Sequence, residues 1–175
     1  MNPFRKVQQN LHHFFLKKKV AKLNILRTTT NLKQAKKIGI LFNPSNEQDV
    51  KIINKYADEL KANDKKVKLL GYRHSKSNFQ STLSFITEKD LNWLLEPKGM
   101  AVIHFISQPF DILINAYIKQ CLPLEYIAAL SKAKLRVGNY FHDKTYCFDL
   151  MIDTNNKDLN YFLTQTNHYL KNLKK

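Results

Sequence analysis

Lys36-Lys37-Ile38-Gly39-Ile40-Leu41-Phe42-Asn43-Pro44-Ser45-Asn46-Glu47-Gln48 is the stretch that decides the fold. An apolar run, then a turn, then a capped helix start is how a βα unit begins. Ile38 to Phe42 has no polar position, as expected of a strand covered on both faces in the middle of a parallel sheet. Ser45 is the predicted N-cap, with Gln48 three residues later completing a capping box. The helix that follows buries Val50, Ile53, Ala57 and Leu60 at three- and four-residue steps, leaves Lys51, Asp58 and Lys61 outside that stripe, and closes at Ala62-Asn63-Asp64. Lys66 to Gly71 reads as the second strand, parallel to the first because a helix joins them.

Downstream, Arg73-His74-Ser75-Lys76-Ser77-Asn78 is a polar, basic loop at a strand's carboxyl end. Leu83 to Ile86 is predicted as a short strand. Thr87 then caps a helix carrying Leu91, Trp93, Leu94 and Leu95, which Pro97-Lys98-Gly99 breaks. Met100 to Ile106 is expected to be a central strand with His104 as a satisfied core histidine, interrupted by Ser107-Gln108-Pro109. Asp111 to Tyr117 is aliphatic enough for another strand, with a helix through Lys119 as the alternative because a short apolar run fits either period, and Pro123 suits the first turn of a helix bearing Tyr126, Ile127, Ala128 and Leu130. Leu135 to Val137 and Cys147 to Ile152 are strands expected to pair as a hairpin. A last helix begins near Asp158 and buries Leu159, Phe162, Leu163, Thr166, Leu170 and Leu173.

Upstream of the junction the composition changes. Residues 1–37 hold ten of the 29 Lys and Arg residues and none of the 14 acids, so ten of the fifteen net positive charges sit there. Phe4, Val7, Leu11, Phe14 and Phe15 recur at helical spacing, which predicts an amphipathic helix that packs this aromatic stripe on the domain and leaves its lysines solvated. Two functional readings stand beside that one: a phosphate-binding arm, or an interfacial helix anchored by Phe14 and Phe15. The division is a basic amphipathic helical arm over 1–36 and an α/β domain over 37–175. The fold class expected is a single Rossmann-like open, mostly parallel sheet with flanking helices.

The totals exclude several classes. A chain of 175 residues with 43% hydrophobic content is long and apolar enough to bury a core. Cys121 and Cys147 are isolated, so neither a zinc site nor a disulfide partner is expected, and two reduced thiols suit a cytoplasmic protein. Cys121 at a helix start could have its pKa lowered by the dipole. No apolar run reaches the roughly 20 residues of a membrane span, and the first thirty residues lack a secretory core. The acid-free arm does share the look of an organelle transit peptide, but with Lys rather than Arg.

The order of landmarks from Ile38 to Leu173 resembles a family of small, uncharacterised bacterial α/β proteins that carries a domain-of-unknown-function label. The stretches that carry the likeness are Asp90-Leu91-Asn92-Trp93, Phe110-Asp111-Ile112-Leu113-Ile114-Asn115, Tyr126 through Gly138, and Phe148-Asp149-Leu150-Met151-Ile152-Asp153. The resemblance implies a compact α/β fold and assigns no catalytic residue.

A dinucleotide site needs glycines after the first strand, and Asn43-Pro44-Ser45-Asn46 has none, so no cofactor is expected. Ser45, at the helix end facing the strand's carboxyl edge, remains a candidate ligand contact, the plain cap being the simpler reading. Asp149 and Asp153 alternate along an expected edge strand and would share a face, but two carboxylates from one strand make neither a metal site nor an acid–base pair. The basic groups form the better pattern. Arg5, Lys6, Lys17, Lys18, Lys19, Lys22, Arg27, Lys33, Lys36 and Lys37, with Arg73 and Lys76 at the sheet's ligand-binding edge, can track successive phosphates by counterion release. Phe14, Phe15, Tyr72, Tyr140 and Phe141 offer stacking surfaces. The function expected is therefore a non-enzymatic RNA-binding protein, ribosome- or rRNA-associated. The alternative is an α/β enzyme or nucleotide-binding protein using Ser45, His74, Ser107, Asn115 and Asp153, and an anionic membrane surface is a third partner for the arm.

Overall fold

The computed structural model describes residues 3–75, 77, 81–142, 144–155 and 158–174. Six strands form one sheet: β1 (Lys37–Phe42), β2 (Lys66–Tyr72), β3 (Phe85–Ile86), β4 (Ile112–Ala116), β5 (Leu135–Asn139) and β6 (Leu150–Ile152). Their order is β3-β2-β1-β4-β5-β6 and every pairing is parallel. This is an α/β, Rossmann-like sheet with β1 and β4 at its centre, where the direction of winding reverses. Among the described residues five helices flank it: α1 (Pro3–Val20), α2 (Glu47–Ala62), α3 (Met100–Ser107), α4 (Leu122–Leu130) and α5 (Leu159–Asn172).

The period of two along β1 sorts its side chains between two cores. Ile38, Ile40 and Phe42 join Ile112, Ile114 and Val137 under α2 and α5, which contribute Ile53, Ala57, Phe162 and Leu170. Leu41 joins Leu113 on the other face with Val102, Phe105, Leu124 and Ile127 of α3 and α4, and with Leu16 of α1. Each of these fully buried aliphatic side chains contributes roughly 1.5–3 kcal/mol of transfer free energy. Gly39 is required between them, because a Cβ there would lie 2.8 Å from the Phe110 ring.

Several local expectations need correction. Met100 to Ile106 is helix: Gly99, at φ 101°, starts it, and burial of Val102 and Phe105 while Met100 and Ile103 stay exposed is a period near 3.6 rather than two. His104 accordingly lies exposed on α3 and is no core histidine. After Thr87 there is only a 3-10 turn, Glu88–Asp90, because Asn92 ties its own side chain to the backbone N–H groups of Leu94 and Glu96 and competes with a helix. The cap of α2 falls one residue later than predicted: the Asn46 side chain accepts from Asp49 N, and the Asp49 carboxylate accepts from Ser45 N. The expected hairpin is a parallel pair, β5 against β6, with Val137 opposite Leu150. Asp149 and Asp153 flank β6, one at each end. Asp149 forms an ion pair with Arg136, and Asp153 accepts from Asn155 N at 2.8 Å.

The arm folds as a helix, but with the opposite face inward. Phe4, Val7 and Phe14 are 69, 57 and 61% exposed, whereas His12 and Leu16 are fully buried. Polar anchors select this face. His12 Nδ1 lies 2.7 Å from Leu94 O, Gln8 donates to Trp93 O, and Lys19 meets the Glu96 carboxylate at 2.7 Å. Beyond α1 the chain runs as a strap: the Arg27 guanidinium donates to the carbonyls of Ser131 and Ala133, Thr28 N to Lys134 O, and Leu32 N to Leu170 O.

Candidate functional site

At the carboxyl edge of the sheet, the switch point between β1 and β4 opens into a cavity of about 40 Å³ lined by Asn43, Ser45, Asp49, Tyr117 and Leu159. That is about one water, far below a nucleotide. The five candidate ligand residues do not converge on it. Ser45 lies beside it, held through its backbone N–H. Asn115 is fully buried within β4, donating to Val137 O at 2.8 Å. His74 Nδ1 meets Glu88 beyond β2, Ser107 ends α3 with its hydroxyl on His104 O, and Asp153 follows β6. The Glu88 carboxyl is pulled down to about 2: burial is the largest single influence and works to raise it, but its own backbone N–H, Ser75 N–H and the His74 ring together outweigh it.

The basic candidates separate into three sets. Lys17 lies 5.4 Å from the Tyr146 ring centre, Lys19 bonds Glu96 and Tyr126 Oη, and Arg27 clamps the strap, so these three hold α1 and its continuation in place. Burial, then the nearby Arg136, bring the Arg27 guanidinium down to about 10, still charged at neutral pH. Arg5, Lys6, Lys18 and Lys22 are exposed along α1 or just beyond it. Lys33, Lys36 and Lys37 lie at the amino-terminal edge of the sheet. Arg73 sits over the Phe85 ring at 4.8 Å, and Lys76 lies outside the described residues.

The amino-terminal edge is where folding adds most to the sequence pattern. Lys37 stands opposite Lys66 in the β1–β2 register, Lys66 N donates to Lys36 O, and Lys65 Nζ reaches Lys33 O at 3.2 Å. Lys134 enters from the other side, with Nζ 2.8 Å from Asp111 Oδ1, and Lys132 precedes it. Asp111 is spent on organising this edge: its Oδ2 accepts from Lys36 N and Lys37 N. Burial works to raise its carboxyl, but the Lys134 bond and these two amides hold it below the usual range. Six of these seven lysines are exposed and Lys65 is half-buried. An open groove of about 360 Å³ adjoins them, lined by Lys33, Lys65, Lys171, Tyr56 and Asn167 among others.

A second cluster escaped the sequence reading altogether. Glu125, on the first turn of α4, is fully buried and meets Lys144 Nζ at 2.6 Å. Lys144 also reaches Tyr146 Oη at 3.3 Å, which in turn lies 3.1 Å from His13 Nδ1 on α1. Glu125 Oε1, Tyr117 Oη and His12 Nε2 have no hydrogen-bond partner among the described residues. Burial, then the positive charge of Lys144, bring the His13 ring down to about 4. Burial lifts the Cys121 and Cys147 thiols to about 12, so the helix start at Cys121 does not activate it. The signal available in sequence was Glu125, a lone acid in an otherwise apolar helix start.

Among the described residues no group of three or more His, Cys, Asp or Glu side chains is placed to hold a metal ion, and no helix is long and apolar enough to cross a membrane. Fold and surface together define a Rossmann-like α/β protein with its N-terminal helix built into the body and seven of its lysines gathered at the sheet's amino-terminal edge. The chain belongs to a family of unknown function, DUF6913, whose model matches residues 8–173 and so takes in most of α1 as well as the sheet. Comparisons with curated proteins and with solved structures found no match.

Proposed function

We propose that this protein binds structured RNA without catalysis, through phosphates laid along the amino-terminal edge of the sheet, and that it does so in the cytoplasm, on ribosomal or comparably folded RNA. The observation that carries the reading is the gathering of Lys33, Lys36, Lys37, Lys65, Lys66, Lys132 and Lys134 along one edge, where Asp111 is already paired with Lys134 and Glu59 lines the adjoining groove. Lysines at this edge also complement the carboxyl ends of the helices, worth up to about 1 kcal/mol each. That need is met by one or two side chains and does not account for seven. Contacts of this kind supply affinity and orientation rather than base selection.

If about six phosphates are neutralised at roughly 0.7 per phosphate, affinity falls by two to three decades over an approximately fourfold rise in salt. Fluorescence anisotropy with a folded RNA tests this. Lys36→Glu with Lys37→Glu and Lys66→Glu should abolish binding, while Lys18→Glu with Lys22→Glu should spare it. Binding that ignores salt, or that survives the edge reversal, refutes the reading. One observation favours a small-ligand site instead: Glu125 Oε1 and Tyr117 Oη are buried with no hydrogen-bond partner among the described residues. Thermal stabilisation by a mononucleotide panel, unchanged in the edge variants, would select it.

A further inference from the structure

We propose that the outer face of α1 is a docking surface for an anionic lipid bilayer. A helix resting on a domain normally turns a polar face to water. Here Phe4, Leu11 and Phe15 lie along one row of α1 with Gln8 between them, and Val7 and Phe14 lie along the adjacent row. Phe4, Val7 and Phe14 are more than half exposed, and Phe15 is 38% exposed. Trp93, 63% exposed, borders the same flank, since its carbonyl accepts from Gln8. The apolar surface thus includes a residue of the body, and α1 need not detach for the surface to be used.

Charge chooses the occupant. The first acidic residue in the chain is Glu47, and Lys18, with Lys22 just beyond the helix, continues the apolar rows toward the carboxyl end, while Arg5 and Lys6 add positive charge in the first turns. A second copy would set this face, whose helix carries no acid, against its own image, with like charges meeting at Lys18 and Lys22. A bilayer containing anionic headgroups complements both features. The phenyl rings enter the acyl boundary, Trp93 sits at headgroup depth, and the lysines meet phosphate. The inner face, with His12, Leu16 and the Lys19–Glu96 pair, keeps the helix on the domain meanwhile. This surface is separate from the amino-terminal edge, so it stands or falls independently of RNA binding.

The test is co-flotation of the full chain with vesicles of phosphatidylcholine, with and without phosphatidylglycerol, read together with Trp93 emission, which reports depth because it is the one tryptophan in the chain. Binding to the phosphatidylglycerol vesicles with a blue shift is expected. Phe14→Ser with Phe15→Ser should reduce it by more than about tenfold, because each buried ring accounts for a factor of that order. Lys18→Glu with Lys22→Glu should remove the preference for anionic lipid, and Lys36→Glu with Lys37→Glu should change little. All positions substituted are exposed, so an unchanged melting temperature verifies the fold. No flotation with phosphatidylglycerol overturns the proposal. So does flotation unaffected by the phenylalanine changes, or a dimer in sedimentation that those changes dissolve. Loss of RNA binding in the phenylalanine variants without any vesicle binding would assign the rings to base stacking instead.

Discussion

Lys144→Met is the most informative single perturbation of this fold. The Lys144 side chain is 7% exposed and Glu125 is not exposed at all, and their 2.6 Å contact is the one hydrogen bond shown for the Glu125 carboxylate, whose Oε1 has no partner among the described residues. Methionine keeps most of the volume of the stem and deletes the ammonium. What is left is a carboxylate in the core with nothing opposite it. Breaking a buried pair from one side costs about 3–5 kcal/mol, because the remaining charge is uncompensated. At about 2–4 °C per kcal/mol for a chain of this size, the melting temperature should fall by roughly 6–20 °C.

The control is internal. Lys61 and Asp58 form a pair of similar length, 2.9 Å, with both side chains more than half exposed, so Lys61→Met should change stability by no more than about 0.5 kcal/mol. The double variant Lys144→Met with Glu125→Leu removes both charges and should recover most of the loss, since apolar replacement of a buried pair is often neutral or better. Urea titration followed by far-ultraviolet circular dichroism measures all four proteins. A Lys144→Met cost no larger than that of Lys61→Met would refute the reasoning. So would a double variant no more stable than the single one, because the penalty would then not come from the orphaned carboxylate.

Two further predictions follow from the same region. His13 is held down to about 4, first by burial and then by Lys144, His12 and Lys17, and burial likewise lowers His12. The released arm takes up protons near 6.5, so between 6.5 and 4 the undocked state binds more protons and acid favours it. Docking of α1 should be complete above about pH 6.5 and lost progressively toward 4, with Trp93 emission as the readout; Lys144→Met, which lets the docked His13 ring rise toward its ordinary value, and His13→Gln should each shrink the acid-driven loss, and emission constant over the range would contradict the assignment. The Cys121 and Cys147 thiols, lifted to about 12 by burial, should resist a thiol-labelling reagent in the folded protein at pH 8 and react only in denaturant; rapid native labelling of either would show that the packing around it is wrong.

The sheet was legible because β1 and β4 lack polar interruptions except Asn115, and a crossover helix fixes neighbouring strands as parallel. The Met100 run failed for a physical reason: eight residues, six of them apolar, satisfy either period, and which one applies depended on a partner surface that the sequence does not display. The arm failed in the same way. Counting apolar positions put Phe4, Val7 and Phe14 inward, but the inward face was chosen by contacts with Leu94, Glu96 and Tyr146, each more than 75 positions away. Lys33, Lys36 and Lys37 could be read as basic, yet their neighbours Lys65, Lys66, Lys132 and Lys134 join them only once β1 lies between β2 and β4. What looked in sequence like one charged, aromatic arm is divided by the fold into an inner polar latch, an outer apolar face and one corner of a basic sheet edge. Charge reversal at Lys36 and Lys37, ring removal at Phe14 and Phe15, and neutralisation at Lys144 therefore address three different surfaces. A deletion of the whole arm would have merged them.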